Sequence, residues 1–291
     1  MDFKEKKILG RTGLAVSRLG LASGYGAPAK TVEKAFHEYG INYFYWSTPR
    51  KSAMGEGLKS LLKDHREDIV IVFQSYDHIG ITVKRSVHKG LKALGTEYAD
   101  VILLGWQNWG PPKRLLEQSV RLREDGLVRH IAMSGHSRRF FAETAQLPDS
   151  PIDIFMLRYN AVHRGAERDV FPSLPEENRP GITVYTATCW GKLLNPKKMP
   201  EGESPLSAAD CYRFVLTNPN VDLCMMGPRT DEEFMQGVSA LEQGPLSEEE
   251  MIRIKSIGDH IYGNGKPEKQ PPRRVFIKTT LKTLKRISRF R

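Results

Sequence analysis

Two imidazoles and two guanidiniums stand within short reach of one another in "SGH" and "MLRYNAVHRGAERDVFP": His136, Arg158, His163 and Arg164, with Asn160 between them. An imidazole titrates near neutral pH and can pass a proton. Arginines clamp a carboxylate or phosphate. A second group is aromatic: Tyr45 and Trp46 in "NYFYWSTPRKS", then Tyr76 and Trp106. Such rings stack on a flat molecule, with Arg50 and the Gln74 amide supplying polar contacts. The chemistry this suggests is the binding of an anionic, planar small molecule, with His136, His163 or Tyr45 as proton donor. Each residue also has a plainer use. Arg158 would pair with Glu167 or Asp169, Trp46 and Trp106 would pack at a rim, and Gln74 would hydrogen-bond Tyr45 or Tyr76. His78, His136 and His163 follow no ligand spacing, so no metal is expected.

These residues need a frame to bring them together. Apolar runs occur at 18–23, 42–46, 69–76, 101–106, 130–136, 152–159, 182–187 and 221–227. Most are continuous rather than alternating, as in parallel strands covered on both sides. Helix-like segments such as "TVEKAFHEYG", "VKRSVHKGLKALG" and "KRLLEQSVRLREDG" lie between them and end at glycine. Eight strands alternating with helices predict a (β/α)8 barrel over residues 1–262, with "KKILGRTGLAVS" as a hairpin closing its bottom. An open doubly wound sheet is disfavoured because "ASGYGAP" does not match GxGxxG. In such a barrel the strand C-terminal ends carry the chemistry, and the candidates above sit there.

The formal charge of the 291-residue chain is +10, but it is unevenly placed. From Lys266 to Arg291 there are ten Lys or Arg and one acid, Glu268, so that stretch carries +9 and the rest +1. Residues 263–291 therefore read as a linker and a basic tail. In 275–291, Ile277, Leu281, Leu284 and Ile287 share one helical side, flanked by Lys278, Lys282, Lys285 and Arg289. That pattern suits an anionic membrane surface. Nucleic acid is not expected, since no stacking platform or recognition helix accompanies the charge. Three cysteines without CxxC spacing, no long apolar run and no signal-like N-terminus point to a reduced, cytoplasmic protein, peripheral at the inner membrane surface if the tail docks.

Over roughly residues 6–260 the chain resembles the aldo-keto reductases. "LGRTGLAVSRLGLAS", "GINYF" with "GEGLKSLL", "LGTEYADVILLGW" and "FVLTNPNVDLCMMGPRTDEEF" carry the resemblance, in that order. It implies an NADPH-dependent carbonyl reductase with a catalytic Asp, Tyr, Lys and His. Those positions hold Tyr45, Arg50, Gln74 and Gly105 here. An arginine is permanently charged and no acid, and an amide cannot lower a phenol's pKa as an ammonium does. For the cofactor, the resemblance implies Tyr185 stacking on the nicotinamide, Ser134 on its carboxamide, and Gly227, Arg229 and Thr230 on the 2′-phosphate. Gly135, Met156, Glu233 and Gly237 depart from the cofactor-binding pattern. The expectation is a divergent NADP-linked oxidoreductase using His136 or Tyr45; the alternative is a non-redox or silent barrel that binds an anionic aromatic ligand or acts as a membrane-associated scaffold.

Overall fold

The computed structural model describes residues 1–46 and 52–264. Arg50 and the basic stretch 265–291 lie outside the described residues. Among the described residues there are ten strands: β1 (Lys7–Ile8), β2 (Ala15–Val16), β3 (Leu19–Ala22), β4 (Tyr43–Trp46), β5 (Val70–Ser75), β6 (Ala99–Leu104), β7 (Val128–Ser134), β8 (Ile154–Arg158), β9 (Gly181–Tyr185) and β10 (Leu223–Met226). β3 to β10 are parallel neighbours in chain order, and β10 returns to β3 to close a barrel. All eight apolar runs became its strands.

The helices are α1 (Ala29–Tyr39), α2 (Ser52–Leu61), α3 (Val83–Leu94), α4 (Lys113–Glu124), α5 (Arg138–Ala145), α6 (Gly165–Asp169), α7 (Ala208–Leu216), α8 (Asp231–Val238), α9 (Ala240–Gln243) and α10 (Glu248–Gly263). α1 and α3 stop at Gly40 and Gly95 in left-handed conformation, as their sequences predict. α10 starts with a reciprocal cap between Ser247 and Glu250. None of the helices among the described residues is long and apolar enough to cross a membrane.

Tyr43, Val72, Val101, Leu103, Ala132, Ile154, Leu223 and Met225 form the packed barrel interior, and Leu9 and Val16 of the hairpin join the same cluster. The hairpin seats so closely that a Cβ on Gly10 would lie 2.2 Å from the Gly181 backbone nitrogen. The bottom of the barrel uses one device three times. Asp100, Asp153 and Asp222 each accept a backbone N–H from the preceding strand, at Ile71 (2.8 Å), Ile131 (3.0 Å) and Ile182 (2.8 Å). Arg66, Arg123 and Arg179 neutralise the three carboxylates.

Candidate functional site

At the C-terminal mouth, Tyr45, Gln74, Tyr76, Leu103, Trp106, Ser134, Met156, Tyr185, Thr186 and Gly227 surround a cavity of about 170 Å³ that opens to solvent. Tyr45, Gln74, Ser134 and Met156 lie two residues past the interior-facing Tyr43, Val72, Ala132 and Ile154, so strand parity brings them to the mouth, while Trp106 and Thr186 come from the loops after β6 and β9. Trp106 (61% exposed) stands edge-to-face on Tyr76, with ring centroids 5.6 Å apart. Trp106, Thr186, Cys189 and Trp190 all have positive φ, in the loops after β6 and β9. Backbone strain of this kind, costing about 1–3 kcal/mol per residue, persists where surrounding structure enforces a particular shape.

The floor of the cavity is formed by Tyr45, Gln74 and Tyr76. A Cβ on Gly105 would lie 2.3 Å from Gln74 Nε2 and 3.0 Å from the Tyr76 ring. The Gln74 amide thus lies over Gly105, in the space a side chain there would enter. Gln74 Oε1 is buried and makes no hydrogen bond, as is the Tyr185 hydroxyl. Tyr45 hydrogen-bonds Tyr76, and burial first, then Tyr76, pushes its phenol well above the ordinary value. Tyr45 is therefore a weaker acid than a free tyrosine. Burial likewise pushes Tyr185 up to about 12, against the opposing pull of Arg158.

His136, Arg158 and His163 come together beside this cavity, around a smaller one. Burial and then Arg158 lower the pKa of His136. Burial, Arg158, Lys192, Arg138 and His136 lower that of His163 to about 4. Both imidazoles are neutral at pH 7. The folded state binds these protons less readily than the unfolded chain, so protonation favours unfolding. Stability is expected to fall as pH drops from the ordinary imidazole value of about 6.5 towards about 4. Urea unfolding across that range tests this, and His163→Gln should flatten the slope.

Three sequence candidates are placed elsewhere. Arg164 bonds Asp259 (2.6 Å) and the carbonyls of Ala161 and Lys255, so it ties its loop to α10 and not to a ligand. Asn160 is buried, donating to the Thr186 carbonyl and accepting the N–H groups of Val162 and His163. Trp46 (3% exposed) packs on Phe73 over Gly55, inside the core. Glu167 accepts from the Tyr159 hydroxyl, and Asp169 from Arg138 and Arg168. Arg138 went unnoticed in the sequence. Its only trace there is Gly165, where a Cβ would lie 2.7 Å from the Arg138 guanidinium carbon.

The residues implied for a nicotinamide dinucleotide are mostly committed to the protein itself. Ser134 Oγ accepts the Trp106 N–H (3.1 Å). A Cβ at Gly135 would lie 3.0 Å from the Gln107 carbonyl oxygen, which covers the place of the pattern's asparagine. Met156 offers no donor or acceptor to a carboxamide. At the other end, Glu233 accepts the Arg229 N–H (2.7 Å), while Thr230 Oγ1 caps α8 by accepting the Glu233 N–H. With Asp231 and Glu232, three carboxylates crowd the turn where a 2′-phosphate would sit. Anions favour a helix N-terminus, but this one is already answered by its own acids. Gly237 is buried against Tyr212 and Met226. Tyr185, Ser134 and Gly227 do line one cavity, and Arg229 lies over the Tyr25 ring, 5.4 Å from its centre. The set as a whole does not fit the dinucleotide held as the resemblance implies.

Residues 27–207 match the model described as the Aldo/keto reductase family. Among solved structures, the chain is similar to the aldo-keto reductase AKR11C1 from Bacillus halodurans in its holo form, with a TM-score of 0.70 and 21% identity, covering 87% of this chain and 96% of that one. The apo form of the same protein gives 0.68 and 21%, covering 87% and 95%. At that identity the structural likeness speaks for the fold.

Proposed function

This chain belongs to the aldo/keto reductase family, and on that premise we propose that it uses the family's barrel mouth to bind a flat, conjugated anion without nicotinamide-dependent carbonyl reduction. One observation carries the reading. The Gln74 amide occupies the volume above Gly105, so the floor is a neutral layer of Tyr45, Gln74 and Tyr76 instead of a proton-transfer group. Aromatic walls remain, and Arg158 and the two imidazoles stand at one side to meet negative charge. Burial lowers the Arg158 pKa, but an arginine stays charged, so a carboxylate beside it forms a charge-assisted pair.

The test is a titration with 2-naphthoate and with its uncharged alcohol, followed by tryptophan fluorescence, since Trp106 lines the cavity. Saturable binding of the acid, weakened by about 2 kcal/mol or more in Arg158→Ala, is expected, in line with loss of one partner from a desolvated charge pair. Failure of both compounds and of larger flat acids to bind contradicts the reading.

A second reading rests on the shared cavity of Ser134, Tyr185 and Gly227: a divergent NADP-linked oxidoreductase in which His136 or Tyr45 donates the proton. It requires Glu233 to leave the Arg229 N–H and one neutral imidazole to reach the mouth. The basic stretch 275–291 supports a further proposal, that the chain docks on anionic membranes. Its removal should abolish sedimentation with anionic vesicles.

A further inference from the structure

Six large apolar side chains that remain more than half exposed lie on loops that follow the barrel strands: Tyr25 after β3, Tyr76, Ile79 and Ile81 after β5, Trp106 after β6 and Trp190 after β9. Exposed apolar residues scattered singly are ordinary, whereas a group of them on one face marks an interaction surface. The loop that carries Ile79 and Ile81 is held in place, because the Asp77 carboxylate accepts the N–H groups of Ile79, Gly80, Thr82 and Val83. Its isoleucines are fixed facing outward.

The same end carries positive charge. A cavity of about 280 Å³ lies between the segment after β9 and the end of α10, lined by Lys192, Lys197, Lys198 and His260 among others, and no carboxylate lines it among the described residues. Trp190, two residues before Lys192, and Tyr262, two after His260, both meet the His163 ring edge-on, with centroids 6.3 and 6.1 Å away. His163 follows β8, so this cavity belongs to the rim that holds the mouth. Asn264 is on its wall, and the stretch of charge +9 follows it in the chain. The acids of this end are answered within the protein. Asp77 is held as described, Asp231 pairs with Lys34 at 3.2 Å, Glu203 pairs with Arg253 at 2.9 Å, and Glu233 accepts the Arg229 N–H.

We propose that this rim is the face the protein lays on an anionic membrane, with Ile79, Ile81, Trp106 and Trp190 in the interfacial layer, Lys192, Lys197 and Lys198 on lipid phosphates, and the mouth opening towards the lipid. The proposal rests on the reading of residues 275–291 as a membrane-docking segment, and adds to it a second contact and an orientation. The chain's own basic stretch is a poor cover for this rim, because like charges would meet at the lysine cavity. A bilayer surface matches both features. Aromatic rings settle at the level of the headgroups, and lysine stems lie along apolar surface while their ammonium groups reach phosphate. Attachment of this kind takes buried apolar area and electrostatic attraction together, and the second weakens with salt.

The test uses the full chain and vesicles of phosphatidylcholine with or without phosphatidylglycerol. The three native cysteines are buried, so an environment-sensitive dye attaches at an introduced one: Ile81→Cys on the rim, or Ile8→Cys in the hairpin at the opposite end, 58% and 53% exposed. With anionic vesicles the dye on the rim should brighten and shift to the blue, and the dye on the hairpin should not change. Lys192→Gln, Lys197→Gln and Lys198→Gln combined should weaken partitioning by roughly 100-fold at low salt, since each base near an anionic surface contributes about a factor of five. All three lysines are exposed, so the barrel should fold unchanged. Suppose partitioning is lost with Lys278→Gln, Lys282→Gln, Lys285→Gln and Arg289→Gln, while the rim dye is silent and the rim lysine variant binds as the native chain does; then the rim is wrong and the tail reading stands. If the rim dye responds and those four tail substitutions change nothing, the rim stands and the tail reading fails. A rim dye already shielded in the free chain means that the chain covers its own rim, which overturns the proposal. Absence of partitioning by the full chain overturns both.

Discussion

Asp222→Ala should lower the unfolding free energy by about 3 kcal/mol, read as a drop in urea midpoint at unchanged slope. Asp222 is fully buried and joins three elements at the barrel bottom. It accepts the Ile182 N–H at 2.8 Å, pairs with Arg179 (3.0 Å from Nη1 to Oδ2), and lies 3.3 Å from Lys7 of the hairpin. Breaking a buried pair costs about 3–5 kcal/mol because a charge is left uncompensated. The lower end applies, since Arg179 and Lys7 retain some access to water. Asp222→Asn should cost less, because its amide oxygen can still take the Ile182 N–H. Ligand binding at the mouth, on the opposite face, should be unchanged in either variant while it remains folded.

Gly258→Ala is expected to destabilise the fold by about 2 kcal/mol, against the usual helical preference. In an exposed helix alanine is better than glycine by about 1 kcal/mol. Gly258 sits inside α10, yet a Cβ there would lie 2.1 Å from the Ala161 carbonyl oxygen and 2.5 Å from its carbon. Those are backbone atoms with no rotamer to escape into, so the helix and the 160–164 loop must separate. Overpacking of this kind costs about 1–3 kcal/mol, and more when backbone must move. Separation would also pull Tyr262 from His163. Gly263→Ala provides the control. No atom of the described residues lies within 4 Å of a Cβ there, so thermal unfolding should show no loss.

The frame was legible because its signals are local. Continuous β-rich runs, helical spacing and glycine stops state where strands and helices lie, and the closed barrel follows from their alternation. Their place at the C-terminal ends of the strands also put Tyr45, Gln74, Trp106, Ser134 and Tyr185 at one mouth. What could not be read was side-chain direction at the rim. Trp46 follows Tyr45 by one residue, so it points to the opposite face and enters the core. Arg164 follows His163 in a loop, where no periodicity fixes direction, and it turns to Asp259 on α10, 95 residues away in sequence. Arg138 was hidden for a related reason. Its place depends on a glycine at 165 and a carboxylate at 169, neither near it in the chain. Gln74 and Gly105 are 31 residues apart in the sequence, and only the structure shows that the Gln74 amide lies over Gly105.

The central claim is that the mouth has been turned from a cofactor site into a site for a flat anion. A calorimetric titration of the full chain with NADPH, repeated on Glu233→Gln and Arg229→Ala, tests it most directly. The account predicts no saturable binding to the native chain, because Glu233 holds the Arg229 N–H and Ser134 and Gly135 are committed to the 105–108 loop. Saturable micromolar binding to the native chain, weakened by Arg229→Ala, would contradict it and return the barrel to nicotinamide chemistry.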